Sequence, residues 1–206
     1  MSPRLPNALR RGLLLLAAVG WVAGCDRAAD PAGKAQFQAT DITGADFGRS
    51  LSLPDQDGRL HTLEDFKGKV TVLFFGYTQC PDVCPTTMIE LAEAKKMLGP
   101  DGARVQGVFI TVDPERDTPE VLKGYVKGFD PGFIALRGDP EQTAAAAKEF
   151  KVFYAKVKGK SPGSYTMDHT AASYVLDTDA RVRLFVRYGS GSQALAVDLK
   201  ALLSAG

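Results

Sequence analysis

No acidic residue precedes Asp26, and the 206 residues hold only two histidines and three cysteines. Soft-metal or thiol chemistry must therefore be assembled from very few side chains. The apolar stretch 13–23 has eleven residues, too few to cross a bilayer as a mature helix, which needs about 20. No internal repeat is present. Basic excess is missing as well. Residues 1–24 hold three arginines and no acids, and without them 22 basic residues face 24 acidic ones, net −2. Nucleic acid favours a basic face, so no nucleic-acid partner is expected.

What is present at the start is an address. Arg4, Arg10 and Arg11 precede the apolar stretch, and small residues end it, the layout of an export signal. Val22-Ala23-Gly24-Cys25 resembles the bacterial lipoprotein signal. Small residues let the backbone enter a protease cleft, and the Cys25 thiol then carries a diacylglycerol. One acyl chain holds only marginally at ~0.8 kcal/mol per buried methylene, whereas several on one cysteine hold stably. Asp26 resembles the signal that keeps lipoproteins at the inner membrane. The expectation is a lipid-anchored protein of the bacterial cell envelope, on the periplasmic face of the inner membrane. Its parts are a lipoprotein signal peptide at 1–24, a lipidated Cys25 with a flexible tether at 25–45, and one domain at 46–206.

From residue 50 onward, strand and helix signals alternate. Residues 51–54 and 60–63 flank Asp57-Gly58, a hairpin turn signal. The run 70–75 is apolar almost throughout and β-branched at its start, as in a strand covered on both faces. Residues 86–98 show helical spacing through Met88, Leu91, Ala92, Lys95 and Leu98, and stop at Gly99-Pro100. A second central strand is expected at 105–112, and Pro119 opens a helix to about residue 129. Then come a strand at 133–136, a helix at 141–150, a short strand at 152–157 and a polar loop at 158–166. Residues 172–176 and 182–186 bracket Asp177-Thr178-Asp179-Ala180 as a hairpin, and 192–203 closes the chain as an amphipathic helix. This pattern predicts an α/β sandwich with a mixed central sheet.

With Cys25 assigned to lipid, two thiols remain, in Cys80-Pro81-Asp82-Val83-Cys84. They follow a buried strand and open a helix, where ligand sites of open α/β sheets gather. A helix N-terminus also lowers a thiol's pKa and supplies thiolate. Three readings stay open from spacing alone. A structural disulfide would close too small a loop to stabilise much. A dithiol for disulfide exchange usually has two intervening residues, and here there are three. A metal pair is the third, because soft thiolates favour Cu(I).

Of the two histidines, His61 lies on the first hairpin and reads as a surface or structural residue. His169, in Met167-Asp168-His169-Thr170, directly precedes a predicted core strand. In thioredoxin-like folds that loop lies against the cysteine motif and carries a cis-proline, which this chain lacks. Asp113 and Arg116 follow the second central strand, on the expected sheet edge of Cys80. Asp113 either orients the site from behind its ligands or steers a partner, or else has a capping and turn role before Pro114. Met88 and Met167 are read as packing residues rather than extra ligands.

Residues 75–85, Phe-Gly-Tyr-Thr-Gln-Cys-Pro-Asp-Val-Cys-Pro, together with Val112-Asp113-Pro114-Glu115-Arg116-Asp117-Thr118-Pro119 and Asp168-His169-Thr170, resemble the three signatures of the Sco/SenC family. These are copper-handling assembly factors of cytochrome c oxidase, and the resemblance covers about residues 47–203. It implies a thioredoxin-like fold with helices on both faces of the sheet and an added β-hairpin. It also implies copper held by Cys80, Cys84 and His169, as Cu(I) or Cu(II). The implied partners are oxidase subunit II, whose dinuclear copper centre is loaded, an extracytoplasmic thioredoxin-like reductase and another copper donor. Many members have Asp-Tyr five residues before the histidine where this chain has Ser164-Tyr165. Several are held by a transmembrane helix where this chain has the lipid signal. The expected function is that of a membrane-tethered copper chaperone. The rival is a thiol–disulfide oxidoreductase that reduces the cysteines of the oxidase copper site with the Cys80–Cys84 pair.

Overall fold

The run 70–76 is buried at all seven positions, which only a strand covered on both sides can achieve. It is the axis of the structure, a computed structural model that describes residues 37–205. The expected signal at 1–24, Cys25 and residues 26–36 of the expected tether lie outside the described residues.

In chain order the elements are β1 (Thr40–Asp41), β2 (Ser52–Pro54), β3 (Leu60–Thr62), β4 (Val70–Gly76), α1 (Val83–Met97), β5 (Val105–Thr111) and α2 (Pro119–Lys127). They continue with β6 (Ile134–Leu136), α3 (Pro140–Glu149), β7 (Tyr154–Lys158), β8 (Tyr165–His169), β9 (Ala172–Leu176), β10 (Val182–Arg187) and α4 (Ser192–Ala205). Six strands form a mixed sheet in the order β1-β10-β9-β4-β5-β6. Strands β4, β5 and β6 run parallel, and β9 and β10 complete the sheet antiparallel to their neighbours.

Successive strand side chains point to opposite faces, so Phe74 and Phe75 enter two different cores. Phe74 packs on Phe109, whose ring meets Tyr125 of α2. On that same face Val72 lines a small cavity with Leu91 of α1 and Leu195 of α4. Phe75 instead meets Phe150, the residue that caps the end of α3. Helices therefore cover both faces, the thioredoxin-like arrangement expected. Helices α2 and α3 begin where their sequences say they should, with Pro119 and Pro140 in the first turn, where the missing N–H is harmless. Asp139 and Gln142 add a reciprocal capping box to α3.

Two expectations are corrected. Residues 158–166 do not form a polar loop throughout: Tyr165 starts β8, which pairs with β7 from Lys158↔Tyr165 to Tyr154↔His169. This second hairpin stands outside the central sheet, so His169 ends a hairpin strand rather than leading straight into β9. The expected tether, for its part, gives way to ordered structure by residue 37. Strand β1 pairs with β10 at the sheet edge. The buried Asp198 carboxylate of α4 accepts the Gln38 and Ala39 N–H groups at 2.7 and 2.8 Å. Hydrogen bonds to a charged acceptor contribute about 1.5–3 kcal/mol each, enough to hold a two-residue edge strand in place.

Candidate metal centre

The loop after β4 is tied down before it reaches α1. Asp117, fully buried, accepts the Thr78 N–H at 3.1 Å, the Thr78 hydroxyl at 2.6 Å and the hydroxyl of Thr111 at 2.6 Å. Burial pushes its carboxyl up, against the opposing effect of these donors. The end of β5 and the start of the cysteine loop are thereby joined through one carboxylate. Helix α1 begins at Val83, earlier than the apolar spacing predicts, because Pro85 fits its first turn. Cys84 consequently lies inside the helix with no exposure, while Cys80 stays half-buried in the loop. The Cys80 sulfur accepts the Cys84 N–H at 3.3 Å.

His169 arrives from the other side, on the last residue of β8. Its Nε2 stands 3.4 Å from the Cys84 sulfur, and its ring meets Phe74 and Tyr77 edge to face. Nδ1 lies 3.2 Å from the Thr170 carbonyl. A carbonyl can only accept, so Nδ1 carries the hydrogen and Nε2 presents its lone pair to the sulfurs. The Cys80 and Cys84 sulfurs and one His169 nitrogen all lie within 4.8 Å of one another. Among the described residues no other three histidine, cysteine or carboxylate donors gather this way. Metal–sulfur bonds of about 2.3 Å and metal–nitrogen bonds of about 2.0 Å fit such a triangle, and two thiols beside one imidazole suit a soft ion.

The electrostatics correct one expectation. The helix N-terminus does not lower the Cys84 thiol: burial pushes it well above the usual thiol range, and its neighbour Cys80 adds to that. A metal cation would supply the missing positive charge and displace the proton. Burial also lowers the His169 imidazole below its ordinary value, which keeps it neutral and able to ligate.

Asp113 serves the turn, and its side chain reaches toward the hairpin that carries His169. Its backbone carbonyl accepts from Arg116 and Asp117 in the turn after Pro114. Its buried carboxylate pairs with Arg116 and accepts the Tyr165 hydroxyl at 2.8 Å. Desolvation and the Asp113 carboxylate push the Tyr165 phenol up to about 12, so it remains a donor. His61 is structural: buried, paired with Asp55 at 2.9 Å and stacked on Phe66. Met88 and Met167 are core residues. Asp117 and Tyr165 are the residues that sequence reasoning missed. Asp117 stands within a quoted motif, but its threonine partners at 78 and 111 are visible only in the fold.

Gly76 sets the floor of the site. A β-carbon there would meet the Cys84 sulfur at 2.9 Å, Phe74 at 2.9 Å and Phe109 at 3.0 Å. Gly76→Ala should therefore displace the sulfur and cost about 1–3 kcal/mol of stability through overpacking. Copper affinity should fall with it, measured by chelator competition beside a denaturant midpoint. Unchanged values for both would show that the sulfur has room to shift.

A family model described as SCO1/SenC matches residues 39–204. The chain is 39% identical to the SCO2-like protein of Rickettsia felis over 136 residues, 66% of this chain and 66% of that protein's own length. Bradyrhizobium japonicum ScoI, solved with copper bound, is 43% identical with a TM-score of 0.70, over 76% of this chain and 99% of that one. The apo Sco1 protein of Thermus thermophilus is 40% identical with a TM-score of 0.74, over 83% and 99%. The likeness runs from β1 to α4 and takes in every element that positions the three donors: this chain belongs to the SCO1/SenC family.

Proposed function

We propose that this chain carries copper at the cell envelope, anchored by lipid on Cys25, and hands it to the dinuclear copper centre of cytochrome c oxidase subunit II. The convergence of two thiols and an imidazole nitrogen within 4.8 Å carries this reading. A structural relative with copper bound supports the choice of metal. Copper is cargo here. Loading releases the Cys84 proton to solvent or to a base of the incoming donor, because His169 Nε2 keeps its lone pair for the ion. Cys80, the half-buried sulfur, offers an incoming acceptor thiol or imidazole its first point of exchange, while Cys84 keeps its hold from inside the helix. Outside the cytosol such a pair drifts to a disulfide, which cannot ligate as thiolate. A thioredoxin-like reductase and an upstream copper donor are the partners this chemistry calls for.

One observation favours the oxidoreductase reading as a second. The two free thiols are unequal, one accessible and one buried, as an attacking and a resolving sulfur would be. Titration of the reduced protein with Cu(I) against a competing chelator separates the two readings. The copper reading expects one tightly held ion per chain. Binding that any moderate chelator strips away would leave only the dithiol.

A further inference from the structure

Arg116 touches both segments that bring donors to the site. Its Nη1 donates to the Gln79 side-chain carbonyl at 3.1 Å, next to Cys80. The same nitrogen donates to the Tyr165 backbone carbonyl at 2.9 Å, on the strand that ends in His169. Its Nε pairs with one Asp113 oxygen, while the other Asp113 oxygen accepts the Tyr165 hydroxyl. The guanidinium carbon lies 3.7 Å from the centre of the Tyr165 ring and 5.7 Å from that of Tyr77.

Strand β8 pairs only with β7, so no ladder of the central sheet fixes its register against the cysteine loop. We propose that Arg116 is a positioning residue that locks the β7–β8 hairpin onto the Cys80 loop and so fixes where His169 Nε2 stands relative to the two sulfurs. This rests on the copper reading above. A planar fork bridges two carbonyls and a carboxylate from two nitrogens on one rigid frame, whereas an ammonium would have to reach all three from a single nitrogen on a flexible stem. The remaining Nη2 is buried without a partner among the described residues, a cost to stability that marks the group as held for its geometry.

The test is a double-mutant cycle on the full chain in detergent, with Cu(I) affinity as the readout. Arg116→Gln should weaken binding roughly 10–100-fold, the range for residues that orient a metal ligand. In the His169→Ala background the same change should cost almost nothing more, because the ligand that Arg116 places is already gone. Arg116→Lys, which keeps the charge beside Asp113, should lose affinity in the same direction and guards against a folding failure in the glutamine variant. Wild-type affinity in both Arg116 variants, or a loss that adds fully to that of His169→Ala, would overturn the proposal while leaving the copper reading intact. If His169→Ala itself binds copper normally, the three-donor reading falls and the bridge falls with it.

Discussion

Cys84→Ser is expected to abolish tight copper binding while leaving the fold in place. The sulfur is fully buried, 3.4 Å from His169 Nε2, and no other thiol among the described residues except Cys80 is near enough to replace it. A serine oxygen is a hard donor that stays protonated, whereas Cu(I) selects soft thiolate. Structural metal sites gain about 10–16 kcal/mol over four ligands, so one lost ligand is worth roughly 3 kcal/mol, on the order of a hundredfold. The observed loss should exceed that figure, because the softest buried donor is the one removed. Chelator competition gives the affinity, and circular dichroism reports the fold. Near-native affinity with both Cys80 and Cys84 replaced by serine would remove the copper assignment altogether.

His169→Ala divides the two chemistries that share the cysteines. As a ligand, the imidazole adds a bond that thiolates alone cannot reproduce, so affinity should drop on the order of a hundredfold and dissociation should quicken. Disulfide exchange depends on thiolate fraction, leaving-group pKa and access. The Cys80–Cys84 couple should therefore keep an ordinary reduction potential in the variant. The informative pair of measurements is that potential and oxidase activity in a strain carrying only the variant. Full oxidase assembly at limiting copper without His169 would favour the oxidoreductase. Acid offers a parallel readout. Burial lowers the folded imidazole below 6.5, so the native state loses stability as pH falls from that value toward the folded pKa. The alanine variant should lack this increment.

The long buried strand, the first helix and the closing hairpin and helix were legible because each follows one clear period. Strand β4 is apolar at nearly every step, and Pro119 and Pro140 punctuate the helices that follow β5 and β6. The gathering of Cys80, Cys84 and His169 was legible too, with His169 preferred to His61 for its place in the loop that faces the cysteine motif in thioredoxin-like folds and for the family resemblance, not for spacing. Strand β8 was not. Only Tyr165, Met167 and His169 face inward, two of the three are polar-tipped, and the strand follows a stretch containing Gly159, Pro162 and Gly163. Its alternation was masked by a histidine counted as polar and by turn residues next door. The hold of Asp198 on residues 38 and 39 spans 160 and 159 positions, and the Arg116 contacts to Gln79 and Tyr165 span 37 and 49. No local window contains such pairs. The Cys84 thiol was misjudged for a related reason. Proximity to a helix start can be read from a sequence, whereas the full burial that outweighs it depends on strands and helices folding over the site.

The edge strand β1, fastened by β10 and Asp198, shortens the leash that lipid on Cys25 would provide. Had ordered structure begun at residue 46, the chain from the anchor could have stretched about 70 Å at ~3.5 Å per residue. With Phe37 already packed against the core, the same arithmetic allows at most about 40 Å. With the proposed anchor, the volume open to this domain would scale with the cube of that reach and contract about fivefold. On the proposed lipid anchor, a copper carrier so confined would meet a membrane-bound acceptor at a correspondingly higher local concentration, and would lose access to any copper source farther from the bilayer than its leash and its own width.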